Sequence, residues 1–150
     1  MGIEKDINQS KFKSDYQKGV INIIYTYNWI REKLQEIFDK ENLTPQQFNI
    51  LRILRGNLEP LSTLQIRERM LDKMSDTSRI VDRLVLKGLV KKVINKADKR
   101  LVDVTIATKG KKVLESMDKF EADIENLTKG LSASEVKTLN ILLDKIRQSN

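Results

Sequence analysis

A mainly α-helical chain with one small β-hairpin is the fold class this sequence predicts: a winged helix-turn-helix with longer helices before and after it. Three observations carry that prediction. Apolar residues recur at spacings of three and four along most of the chain, which is the pattern of helices with one buried stripe. Ser, Thr, Gln and Glu are placed as N-terminal capping pairs at several points between those stripes. Two short β-branched runs, 89–94 and 101–106, flank a polar patch from Asn95 to Arg100 that holds three positive charges and one negative.

The first helix is expected over 12–39. Tyr16, Val20, Ile23, Tyr27, Ile30, Leu34 and Ile37 alternate spacings of four and three, and Ile21, Ile24, Trp29 and Phe38 widen the stripe. An apolar surface this wide calls for more than one neighbour. The run TPQQ then offers Thr44 as N-cap, Pro45 as first helical residue and Gln47 as capping-box partner. The helix it opens carries Phe48, Leu51 and Leu54 and stops near Gly56. GNLEP is a turn, and Ser62 with Gln65 opens a short helix through Met70.

A further helix is expected to start within 72–76 and to run to Lys87, with Met74, Thr77, Val81 and Leu84 buried and Gly88 as its left-handed cap. The β runs form a hairpin. In the second, Val102, Val104 and Ile106 share one face, and Leu101, Asp103 and Thr105 the other. Thr108 is the expected cap of a long helix through about Leu127, with Val113, Met117, Phe120, Ile124 and Leu127 inward and Gly130 ending it. Ser132 and Glu135 cap a last helix striped by Val136, Leu139, Leu142 and Ile146.

Composition narrows the function. The 150 residues suit one domain and contain no Cys and no His. Thiol chemistry is therefore excluded, and the commonest general base and metal ligand are missing. No Gly-rich phosphate loop and no metal-spaced carboxylate pair is present, so neither an enzyme nor a cofactor is expected. The N-terminal stretch is polar, and no apolar run approaches the ~18 residues of a membrane span. A cytoplasmic protein without membrane contact is the expectation.

The net charge is +7, and its placement matters more than its size. Residues 61–112 hold 14 Lys+Arg against 6 Asp+Glu, a balance of +8, and the rest of the chain stands at −1. A localised excess is the footprint of a polyanion binder. A Lys-rich solvated surface is the alternative. On the helix at 74–87 the buried stripe leaves Ser75, Asp76, Arg79, Asp82, Arg83 and Leu86 pointing outward. Such a short, donor-rich face fits a major groove. Arg79 and Arg83, one turn apart, address neighbouring base pairs, or one base and one phosphate. Asp76 and Asp82 are expected to orient them by i,i+3 pairing. The same residues also make an ordinary salt-bridged surface. Leu86 fits neither reading and is expected to touch the wing or a helix. Lys96, Lys99 and Arg100 at the hairpin tip suit a phosphate backbone or a minor groove. Asp98 serves either to hold the Arg100 guanidinium or to cap the turn backbone.

LTPQQFNILRIL, LSTLQIRERM, SRIVDRLVLKGLVKK, DKRLVDVTIATKG and LSASEVKTL resemble the MarR family of bacterial winged-helix regulators over about residues 12–148. The most specific pieces are VDRLVLKGLV and Asp98-Lys99-Arg100, which fits the family's D-x-R pattern. The resemblance implies a single domain over 1–150. In it, residues 12–39 and 108–148 build a homodimer and residues 44–106 form the DNA-binding lobe. It implies a sequence-specific transcriptional regulator, usually a repressor of nearby genes, released from double-stranded palindromic operator DNA by a small aromatic effector. Groove- and backbone-facing residues would be Ser75, Asp76, Ser78, Arg79, Arg83, Lys91, Lys92, Lys96 and Lys99, with Arg100 in the minor groove and Asp98 as its support. Members that sense oxidants through Cys, or zinc through His, have no counterpart here. RMLDKMSDTSR is charged where many members have a small-residue turn, which leaves the helix start open by two or three residues. Tyr25, Trp29 and Phe48, with Tyr27, are candidates for an effector pocket; core or dimer-interface aromatics are the alternative. A winged helix that binds protein rather than DNA is the competing function, and the +8 centre argues against it.

Overall fold

The computed structural model describes residues 2–148, in two compact units that divide after Pro45. The first unit opens with a short helix, α1 (Ile3–Asp6), which the polar N-terminal sequence did not announce; its Ile3 is buried. Helix α2 (Asp15–Asp39) starts three residues later than the expected residue 12, because the Ser14 side chain accepts the Gln17 N–H at 3.2 Å and fixes the N-terminus there. Glu4 on α1 pairs with Lys18 on α2, which holds the Glu4 carboxyl below its ordinary range. Ile37, Phe38 and Leu43 are buried, whereas Tyr16, Val20, Ile24 and Tyr27 are exposed.

In the second unit, α3 (Pro45–Arg55), α4 (Thr63–Arg69) and α5 (Thr77–Leu86) supply Ile50, Leu51, Leu54, Ile66, Val81 and Leu84 to one buried cluster. The α4 start has both halves of the expected capping box. Gln65 N–H donates to the Ser62 hydroxyl at 3.2 Å, and the Gln65 side chain accepts the Ser62 N–H at 2.8 Å. The turn from α4 to α5 is organised by Asn49 and Asp72. Asn49 Oδ1 accepts the Leu71 N–H at 2.9 Å; Asp72 accepts the Met74 N–H on its side chain and the Ser75 hydroxyl on its carbonyl. Residues 71–76 are committed to these bonds, so helical phase begins only at Thr77. Met74, expected in the buried stripe, is consequently 93% exposed, whereas Thr77, Val81 and Leu84 are buried as expected.

Gly88 ends α5 at φ +72°, and the Leu89 N–H donates back to the Leu84 carbonyl at 3.0 Å. The chain enters β1 (Val90–Ile94), which pairs antiparallel with β2 (Val102–Ile106) in a register that sets Lys92 opposite Val104 and Val93 opposite Asp103. Leu61 adds a third rung: its N–H and carbonyl exchange bonds with Val104 at 3.1 and 2.9 Å. This rung anchors the base of the hairpin beside α4, with Leu61 and Val104 both buried.

The helix expected over 108–127 is two helices, α6 (Thr108–Asp118) and α7 (Glu121–Asn126). The ladder tightens between them, with the Phe120 N–H donating to Met117 O at 2.9 Å. Thr108 is the first helical residue rather than the cap. Ala107 takes the cap position without a side-chain bond, its own N–H held by Leu89 O at 2.9 Å. The last helix, α8 (Ala133–Gln148), has the expected Ser132–Glu135 capping pair. Glu135 accepts the Ser132 N–H and hydroxyl at 2.7 and 2.8 Å, which lowers its pKa. No α8 residue is buried, and Leu139, Ile141, Leu142 and Ile146 are exposed.

Candidate nucleic-acid interface

Helix α5 presents Ser78, Arg79, Asp82, Arg83 and Leu86 to solvent, opposite its buried stripe. Asp76 does not reach along the helix to an arginine. It is the N-cap, and its carboxylate accepts the Arg79 N–H at 3.2 Å. Asp82 departs from expectation in the same way. It leaves Arg79 and Arg83 alone and accepts Lys92 Nζ, from β1, at 2.7 Å. Among the described residues, neither arginine has an ion-pair partner. Two guanidinium groups one turn apart therefore stand free on this face. Leu86 is 87% exposed, so it is not packed on the wing or on a helix. Ser75 precedes the helix and lines a cleft with Thr63, Leu64, Arg67 and Thr77 at the α5 N-terminus. The Thr77 hydroxyl there is buried, with no hydrogen-bond partner among the described residues.

The wing carries Lys91 and Lys92 on β1 and Lys96, Lys99 and Arg100 at its tip, all exposed. The tip is built from two side-chain-capped turns in series. Asn95 Oδ1 accepts the N–H groups of Ala97 and Asp98 at 2.9 and 2.8 Å. Asp98 Oδ1 then accepts the Arg100 N–H at 3.0 Å, and the Leu101 N–H closes onto Asp98 O at 2.9 Å. Asp98 thus fills both roles left open for it, because its two oxygens also accept Arg100 Nε and Nη2 at 3.0 and 2.9 Å. The Arg100 side chain is nevertheless 89% exposed. It is aimed rather than buried.

The Arg100 guanidinium holds the Asp98 carboxyl below its ordinary value, and Asp98 in turn raises Arg100. A carboxyl with a lowered folded pKa stabilises above its unfolded value of about 3.9 and loses that contribution as pH falls through the folded pKa. Order at the wing tip is therefore expected to persist through neutral pH and to fail only in acid. Carboxyl-detected NMR titration checks this. Asp98 should titrate below a free aspartate in the native chain and move back up in Arg100→Ala. Identical titration in the two proteins would mean that the pair does not form in solution.

Sequence reading missed Asn95 and Asp103. Asn95 Nδ2 donates to both Asp103 carboxylate oxygens, at 3.0 and 3.1 Å. The only advance signal was an Asn at the strand end and an acid on the outward strand face. Tyr25 and Trp29 lie one turn apart on α2, 40% and 41% exposed. Phe48 belongs to the other unit, on α3, where the Arg52 guanidinium lies 5.8 Å from its ring centre. Among the described residues no cluster of acids could hold a metal ion, and no helix is long and apolar enough to cross a membrane.

Three helices, the second and third joined by the hydrogen-bonded segment 70–76, followed by a hairpin anchored through Leu61, define a winged helix-turn-helix protein. The MarR family model matches residues 41–101. The multiple antibiotic resistance protein MarR of Escherichia coli is 31% identical over 127 residues, covering 83% of this chain and 88% of that protein. The chain belongs to the MarR family, whose named relatives are transcriptional regulators and not enzymes. The HTH-type transcriptional repressor MdtR of Bacillus subtilis is 31% identical over 81 residues, 54% of this chain and 52% of that one. Among solved structures, a mutant MarR from E. coli complexed with operator DNA superposes with TM-score 0.79 at 28% identity, over 91% of this chain and 99% of that one. A MarR transcription factor from Planctomyces limnophilus gives 0.67 at 30% identity, over 89% and 98%.

Proposed function

We propose that the chain is a homodimeric, sequence-specific DNA-binding transcriptional regulator, a repressor relieved by a small aromatic effector. The carrying observation is a set of exposed guanidinium groups, with Arg79 and Arg83 free on the outer face of α5 and Arg100 aimed by Asp98 at the wing tip. The E. coli MarR that this chain superposes on was solved with operator DNA, which supports the same use of the face here. Ser75 and Ser78 flank the groove-reading arginines, Asp76 acts as the helix cap, and Lys91, Lys96 and Lys99 meet phosphates. Lys92, already paired with Asp82, has its charge offset before it meets a phosphate. Residues 44–106 form the DNA-binding lobe, and residues 12–39 and 108–148 the dimer helices. The exposed apolar side chains of α2 and α8 support the dimer. Tyr25, Trp29 and Phe48 are the aromatic candidates for effector contact. A cytoplasmic location fits this role.

Selection of bound sequences from a random DNA pool tests the reading. A palindromic winner is expected, with one half-site for each protomer. A pool that never enriches would favour a protein-binding winged helix instead. With the operator in hand, Arg79→Ala is expected to cost about 1–3 kcal/mol and to relax preference at one position per half-site. Lys91→Ala should weaken all sequences alike. Equal losses on operator and random DNA for both variants would show that α5 does not read bases.

A further inference from the structure

We propose that Asn95 is a positioning residue for Arg100, and that the Asn95–Asp103 contact fixes the wing tip in the form that enters DNA. The inference rests on the DNA-binding reading above and extends it to two residues outside the basic set. In the β register Asp103 faces Val93, so Asn95 lies two residues further along the same face, at the diagonal position. Its N–H continues the ladder onto Leu101 O at 3.0 Å. Its Nδ2 takes the Asp103 carboxylate, which leaves Oδ1 pointed at the loop, where it receives the N–H groups of Ala97 and Asp98. Those bonds set the backbone of Asp98, whose carboxylate then holds Arg100.

The chain of contacts thus runs from strand β2 through Asp103, Asn95 and Asp98 to the guanidinium. Each link uses a different atom, so the amide must be oriented one way only: nitrogen to Asp103, oxygen to the loop. An amide alone supplies both a donor and an acceptor at that reach. The charge balance points the same way. Asp98 and Asp103 are acids in a hairpin that otherwise carries only positive charge from Lys91 to Arg100. Near a polyanion each is repulsive, unless it serves as an acceptor that holds something in place.

The test exchanges donor and acceptor. Asn95→Asp keeps the oxygen facing the loop but sets a carboxylate against Asp103. It is expected to lower operator affinity about tenfold, with a smaller loss on random DNA, and to return the Asp98 titration towards that of a free aspartate. Adding Asp103→Asn restores a donor across the gap and the original net charge. The double variant should recover to within about threefold of the native affinity. Asp103→Ala, which removes a negative charge, should still weaken operator binding, most on sites with A·T-rich flanks.

Circular dichroism of each variant confirms that it is folded. Tighter binding by Asp103→Ala, or no recovery in the double variant, would overturn the proposal and leave the acids as plain loop charges. An unchanged Asp98 titration in Asn95→Asp would overturn it independently of DNA. If the native chain enriches no DNA at all, the functional reading fails. The titration and the donor–acceptor exchange then still decide whether Asn95 holds the tip.

Discussion

Arg100→Ala is expected to lower operator affinity by about ten- to a hundredfold, with little change in thermal stability. The side chain is almost wholly exposed, so the fold does not depend on it. Its two bonds to Asp98 hold the guanidinium in one direction before any partner arrives. Binding then needs less ordering of a flexible side chain. A narrow A·T minor groove concentrates negative potential, so the loss should be largest on operators with A·T-rich flanks. Arg100→Lys should recover only part of the affinity. Its ammonium keeps the charge, but it is more strongly hydrated and cannot be held at two points by one carboxylate. Asp98→Ala separates aim from charge. Simple electrostatics predicts tighter binding after loss of an acid, whereas the geometry predicts weaker binding, with only a small loss of stability from the missing turn cap. Tighter binding of operator by Asp98→Ala, at fixed salt, would rule out the aiming role.

Gly110→Ala should produce the largest loss of stability. A methyl at this position would lie 2.2 Å from Leu89 O and 2.9 Å from Ile106 Cγ1. The oxygen is backbone and already accepts the Ala107 N–H at 2.9 Å, so it cannot step aside without opening the base of the wing. Overpacking of this severity costs about 3 kcal/mol, which for a chain of this size lowers the unfolding midpoint by roughly 6–12 °C. Gly19, within α2, is the control. Nothing lies within 4 Å of its added Cβ, so Gly19→Ala should stabilise by about 0.5–1 kcal/mol through helix propensity alone. Calorimetry or urea unfolding decides. A Gly110→Ala protein that melts with the native one would mean that α6 and the β1 entrance are not so closely packed.

Local rules were legible in the sequence where both partners lie within a few residues. The Ser62–Gln65 and Ser132–Glu135 caps, the Gly88 terminator, the hairpin and the Asp98–Arg100 pair all belong to this kind. Part of what escaped depends on contacts between segments further apart, and part on local bonds that compete with the apolar period. Asp82 has arginines at hand on its own helix, and only the approach of β1 makes Lys92 the better partner. Met74 fits the apolar period, but the hydrogen bonds around Asp72 delay the helix until the period no longer applies to it. The break at Lys119 and Phe120 has neither Pro nor Gly to announce it. Asn95 gave only the weak signal of a turn residue, because its importance comes from Asp103 eight residues away across the hairpin.

The Asp82–Lys92 bridge also bears on how binding would respond to ionic strength. A lysine that is already neutralised by a carboxylate does not displace a condensed cation from DNA at no cost elsewhere. When a phosphate takes the Lys92 ammonium, Asp82 is left bare and draws a cation from solution. Uptake at Asp82 then cancels release at the phosphate. The slope of log affinity against log salt should therefore fall short of the number of basic side chains that touch DNA, by about one cation for each protomer. A footprint count of lysines and arginines would overstate the electrostatic share of the binding free energy by that amount.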